Sequence, residues 1–111
     1  PTSMLDIENR NKIIELLKKI HSKGTTIIIV THHINEIEYC DNVVFINEGN
    51  IDFCGNRNEF IKRLIKSEEF HNLNLPVNFQ IAYELYKNKN ISIENEIFDY
   101  KKICEKVWKS F

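Results

Sequence analysis

Glycine is nearly missing from this chain, with three copies in 111 residues, at positions 24, 49 and 55. The Gly-rich loop that wraps backbone N–H groups around phosphates, with its lysine, is absent from the sequence. Cysteine is sparse too. Cys40, Cys54 and Cys104 are odd in number and include no Cys-x-x-Cys pair, which fits free thiols in a reducing compartment better than a disulfide framework. An excess of one charge is also lacking. With 15 basic and 16 acidic residues the formal net charge is -1, which argues against a general nucleic-acid binder, whose cationic surface must replace counterions. No apolar run approaches the roughly 20 residues that span a bilayer, and Ile27–Val30 is only the length of a strand.

What is present suits a globular α/β domain. Apolar residues make up 42% of the chain, enough to supply a core. Asp6 is placed to cap a first helix that carries Glu8 in its opening turn. Ile13, Ile14, Leu17 and Ile20 recur on one face of it, and Gly24 is expected to end it. Thr25–Val30 is β-branched throughout without polar alternation, the pattern of a strand buried on both faces of a parallel sheet. Residues 34–40 suit a short helix with Ile34 and Ile37 inward. Val43–Asn47 and Asn50–Cys54 read as a hairpin around Glu48-Gly49, ended by Gly55. Asn56 can then cap a helix that gathers Phe60, Ile61, Leu64 and Ile65 on one side. A smaller unit follows. Pro76 can open a helix with Phe79, Ala82, Tyr83, Leu85 and Tyr86 as its apolar surface. A last helix carries the stripe Tyr100, Cys104, Val107, Trp108 and Phe111.

The most informative residue is His32, a polar side chain at the mouth of the expected buried strand, where ligands bind in open α/β sheets. An imidazole there can donate a hydrogen bond to a phosphate oxygen. Taken alone, the plainer reading, a histidine that caps the next helix or fills a gap, is the stronger. His33 beside it, with His21 and Cys40, raises the idea of a metal site, but their spacing matches no compact zinc pattern. Lys62, Arg63 and Lys66 suit the solvated face of a helix better than a membrane-binding one.

The order of these pieces resembles the ATPase subunits of ABC transporters. Pro1-Thr2-Ser3-Met4-Leu5-Asp6 looks like their D-loop, and Val30-Thr31-His32 looks like the strand end that carries their switch histidine. Asn35 to Val44, with Glu36 and Asp41, and the stretch Phe45 to Ile51 are similar to the segments that follow. Ser3-Met4-Leu5-Asp6, Leu73-Asn74-Leu75-Pro76, Ile81 to Leu85, and Ile91 through Phe98 into Asp99-Tyr100 resemble the energy-coupling-factor branch and its C-terminal extension. Asp99 is expected as the N-cap of the final helix. Ile7 stands where the family often has Pro, a small departure, since that Pro mainly pre-sets the helix start.

The resemblance implies the following. The fold is α/β: residues 1–66 are the C-terminal part of a P-loop (RecA-like) ABC nucleotide-binding domain, and residues 67–111 are a small, mainly helical extension with a dimerisation role. His32 is the catalytic switch histidine that contacts the ATP γ-phosphate, and Ser3 and Asp6 lie at the D-loop interface between two subunits. ATP with Mg2+ serves the complete subunit, and no metal site is expected within this chain. The partners are a second ATPase subunit, identical or paralogous, a transmembrane coupling subunit and a substrate-binding membrane component, with no nucleic acid. The place is the cytoplasmic face of the membrane, peripherally. The function is ATP-driven uptake of a vitamin or transition-metal ion. Because the Walker A, signature and Walker B motifs are not in the sequence, they are expected before Pro1, and the 111 residues alone are expected to be inactive. The alternatives are a non-catalytic dimerisation or regulatory module, and an inert product of a truncated gene.

Overall fold

The structure, a computed structural model, describes residues 4–68 and 74–109. Ser3, Leu73 and Phe111, each named in a sequence expectation, lie outside the described residues. Contacts divide the chain into two compact units, Pro1–His32 and His33–Phe111.

The first unit is one helix and a tail. Helix α1 spans Met4–Ser22 and contains neither Gly nor Pro, so nothing in its interior breaks the hydrogen-bond ladder. Lys19 lies in its last turn, where a cation opposes the negative end of the helix dipole. As expected, Gly24 closes it: at φ +93 its N–H donates to the His21 carbonyl at 3.0 Å. The start differs from expectation. Met4 and Leu5 are already helical, so Asp6 is the third residue of α1 and not its N-cap. The face made by Ile13, Ile14, Leu17 and Ile20 gains only partial cover at Ile14 and Leu17.

The strand expected at 25–30 does not form. Among the described residues the only sheet has two strands, both in the other unit. A strand buried on both faces needs hydrogen-bonded neighbours at its edges and helices above and below, and without them Ile28 is 87% and Val30 94% exposed. The architecture is therefore mixed helix with a small antiparallel sheet.

The second unit has its own core. A 3-10 helix over Ile34–Tyr39 opens it, with Ile37 buried and Ile34 packed beside the core, as the sequence indicates. Strands β1 (Asn42–Asn47) and β2 (Asn50–Asn56) form the hairpin. Glu48 and Gly49 both have positive φ, the requirement of the two-residue turn that matches strand twist. The register slips by one residue between Phe45 and Ile46, leaving Asp52 as the extra residue of a bulge. Gly55 does not end the hairpin: it pairs with Val43, and β2 runs on to Asn56. One face turns Val43, Phe45 and Phe53 inward, whereas Val44, Ile46 and Ile51 on the other are exposed.

Asn56 caps α2 (Arg57–Lys66) as expected, its side chain accepting from the Asn58 N–H at 2.6 Å. Phe60, Ile61, Leu64 and Ile65 are buried, each such side chain contributing about 1.5–3 kcal/mol relative to exposure. The Phe60 ring lies 5.0 Å from that of Phe53 and 5.6 Å from that of Phe45. Helix α3 (Val77–Lys89) follows Pro76 and packs Phe79, Ala82 and Leu85 into the same core. It ends at Asn90, left-handed at φ 54, whose N–H donates to the Tyr86 carbonyl at 3.1 Å. A short 3-10 turn over Glu94–Glu96 leads to α4, Tyr100–Lys109.

The buried side of α4 is not the expected stripe. Ile103 is the buried residue and Val107 packs beside the core, while Cys104 and Tyr100 are exposed and Trp108 is 82% exposed. Ile103 and Val107 are four apart and share one face, and Tyr100, Cys104 and Trp108 share its neighbour. The core that α2 shares with α3 runs across residue 66, so the spatial division at 32/33 differs from the sequence division at 66/67.

Candidate functional site

His32 lies at an exposed bend after Thr31. His33 flanks the 3-10 helix in extended conformation, φ -99 and ψ 107, and its carbonyl accepts from the Glu36 N–H at 3.0 Å. His21 Nδ1 is 3.1 Å from the Thr25 carbonyl. A carbonyl only accepts, so Nδ1 carries the hydrogen there. Of the other expected site residues, Ser3 is outside the described residues and Asp6 is placed by its backbone alone, in the first turn of α1.

A polar cleft of about 670 Å³ lies within the second unit, between the 3-10 helix and the N-terminal ends of α2 and α4. Glu38, Arg57, Asn58, Glu94, Asp99 and Tyr100 are among its walls. Most of its charges already have partners. Arg57 Nη1 donates to the Glu38 carbonyl at 2.7 Å. Asp99 accepts from the Lys102 N–H at 3.2 Å, which makes it the N-cap of α4 that the sequence indicates. Glu94 holds Lys66 at 2.9 Å, and this bond raises the lysine pKa. Cys40 Sγ donates to the Ile37 carbonyl at 3.2 Å. Burial pushes its thiol pKa up, against a smaller opposing pull from Arg57.

The basic residues of α2 divide. Lys62 is exposed as expected, Arg63 lies over the Phe53 ring at 5.2 Å, and Lys66 is the partner of Glu94. Among the described residues no three His, Cys, Asp or Glu side chains gather as a metal-binding group.

Sequence reading missed Asn78. It is 1% exposed in the first turn of α3 and bonds to both Asn35 and Ile97. A signal was there to find: Asn78 is four residues before Ala82 and seven before Leu85, on the apolar stripe.

Comparison with known proteins bears on the whole chain. It is 33% identical over 81 residues, 73% of its length, to the energy-coupling factor transporter ATP-binding protein EcfA1 of Thermotoga maritima. It is 31% identical over 100 residues to EcfA1 of Clostridium perfringens, with 89% of the chain covered. It is 29% identical over 112 aligned positions, 99% of the chain, to the cobalt import ATP-binding protein CbiO of Syntrophus aciditrophicus. The chain is a relative of energy-coupling-factor ATP-binding proteins. These relatives are much longer: the chain spans 29%, 35% and 39% of the three, about a third. No family model matches it, and no solved structure does. Among the described residues no helix is long and apolar enough to cross a membrane.

Proposed function

We propose that this chain is the C-terminal portion of an ATP-binding subunit of an ABC-type energy-coupling-factor importer, with residues 1–66 belonging to the nucleotide-binding domain and residues 67–111 to its extension. The observation that carries this reading is the reach of the similarity. It extends over as much as 99% of the chain, so it takes in both the segment around His32 and the C-terminal helices. In the complete subunit, ATP with Mg2+ brings the phosphoanhydride to be cleaved. His32 contributes a hydrogen-bond donor to the γ-phosphate, and its exposed position at a bend leaves the ring accessible for that contact. Phosphoryl transfer is catalysed mostly by positioning and charge stabilisation, so one well-placed donor has a large effect. Ser3 and Asp6 meet the opposite subunit and couple two ATP sites. The partners are a second ATP-binding subunit and membrane components on the cytoplasmic face, and the work is uptake of a vitamin or a transition-metal ion.

The open apolar surfaces support this reading. Ile28, Val30, Val44, Ile46 and Ile51 are all exposed, and such surfaces are ordinarily covered by further protein. The test is to read the gene upstream of the Pro1 codon and assay the product. In-frame phosphate-loop and signature motifs with measurable ATP hydrolysis support the reading. A start codon near Pro1 refutes it.

One observation favours a second reading, a non-catalytic module. Residues 33–111 form a compact unit whose core is shared by α2, α3 and α4. The same upstream sequence decides between the two.

A further inference from the structure

Asn78 is the one buried polar residue among the described residues, at 1% exposure. Its Nδ2 donates twice, to Asn35 Oδ1 at 2.9 Å and to the Ile97 carbonyl at 2.8 Å. The Ile97 carbonyl only accepts, so the amide has one orientation: reversed, its oxygen would face two oxygens. In the orientation found, Oδ1 meets no donor among the described residues. A buried oxygen without a donor costs desolvation energy, and removing the amide would in turn leave the Ile97 carbonyl without this donor. What it supplies, and leucine cannot, is a directional bond between residues 43 apart in sequence.

That bond has a particular address. Asn35 is the second residue of the 3-10 helix Ile34–Tyr39, and only Ile34 and His33 separate it from His32. Three residues of extended chain reach at most about 10 Å, so whatever fixes Asn35 limits the positions open to His32. Through its second bond Asn78 also holds Ile97, at the end of the turn that leads to α4.

We propose that Asn78 is a positioning residue, which holds the segment following His32 against the C-terminal helices so that their docking sets the placement of that segment. The consequence for hydrolysis rests on the ATPase reading above: the extension then tunes His32 as well as any role it has in assembly.

The test uses the chain itself first. Hydrogen exchange is followed at the Glu36 and Cys40 amides in wild type, Asn78→Leu and Asn35→Ala. The Asn35 change removes the bridge alone, because Asn78 keeps Ile97, so it remains informative if Asn78→Leu fails to fold. The expected result is exchange about fivefold faster at both amides in each variant, the scale of one hydrogen bond, with the amides of α2 unchanged. Exchange at wild-type rates in Asn35→Ala overturns the proposal. A second arm measures ATP turnover by the complete subunit carrying Asn35→Ala. A several-fold loss in kcat at unchanged KM supports the link to His32, and an unchanged kcat overturns that link. A wild-type subunit with no ATPase activity refutes the functional reading, and the exchange data then decide the positioning role by themselves.

Discussion

Arg57 reaches back 19 residues to donate to the Glu38 carbonyl at 2.7 Å, while its own N–H donates to the Asp41 carbonyl at 3.0 Å. The end of the 3-10 helix is thus tied to the start of α2. Removing the side chain leaves the Glu38 carbonyl without this donor. Arg57→Ala should cost about 1.5–3 kcal/mol, the range for hydrogen bonds to charged groups, read as a shift in urea midpoint at unchanged slope.

The same arginine acts on Cys40. Burial raises the thiol pKa above its ordinary 9.0, and Arg57 opposes that. At pH 8 Cys40 should alkylate more slowly than the exposed Cys54 and Cys104. Arg57→Ala at a pH where the fold holds should slow it further. A raised folded pKa makes the Cys40 contribution complete below about pH 9, and it is lost as pH rises through the folded value. Stability should therefore decline above pH 9, less so in Cys40→Ser. Equal alkylation rates at all three thiols would contradict this.

His32→Ala in the complete subunit should cut ATP turnover by about a hundredfold or more, the scale of losing one preorganised donor, with nucleotide affinity nearly unchanged. Equal rates at saturating ATP would remove His32 from the mechanism. The 111 residues alone should hydrolyse nothing.

The two helix-start acids separate cleanly. Asp99 makes the cap bond, so Asp99→Ala should lose about 1 kcal/mol of stability. Asp6 stands inside α1, where a carboxylate contributes only about 0.3–1 kcal/mol through the helix dipole. Loss of cooperativity between two ATP sites in Asp6→Ala, beyond that small change, is what the D-loop reading expects. Unchanged cooperativity would leave only the dipole term.

Trp108→Ala should barely change the stability of the monomer, within about 0.5 kcal/mol, because the ring is 82% exposed. If the exposed stripe Tyr100, Cys104, Trp108 belongs to a subunit contact, the same substitution weakens association. Sedimentation at several concentrations gives the answer: an unchanged dimer constant would take Trp108 out of the interface.

The sequence by itself determined the local elements of the second unit. The Asn56 cap, the Glu48-Gly49 turn and the Phe60-Ile61-Leu64-Ile65 face all follow from short-range rules of backbone geometry and period, while the Asp99 cap was implied by the family resemblance. It also carried the relationship to ATP-binding proteins, because that rests on motif order from Pro1 to Tyr100. Only the tertiary structure decided which side of α4 is buried. Ile103 with Val107 and Cys104 with Trp108 both stand four residues apart, and the choice belongs to the partner helices. It likewise decided that Asn78 is a buried bridge, since its acceptors are 43 and 19 residues away. Thr25–Val30 marks the opposite case. Its composition specifies a strand, but a strand is completed by its neighbours, and among the described residues none pairs with it.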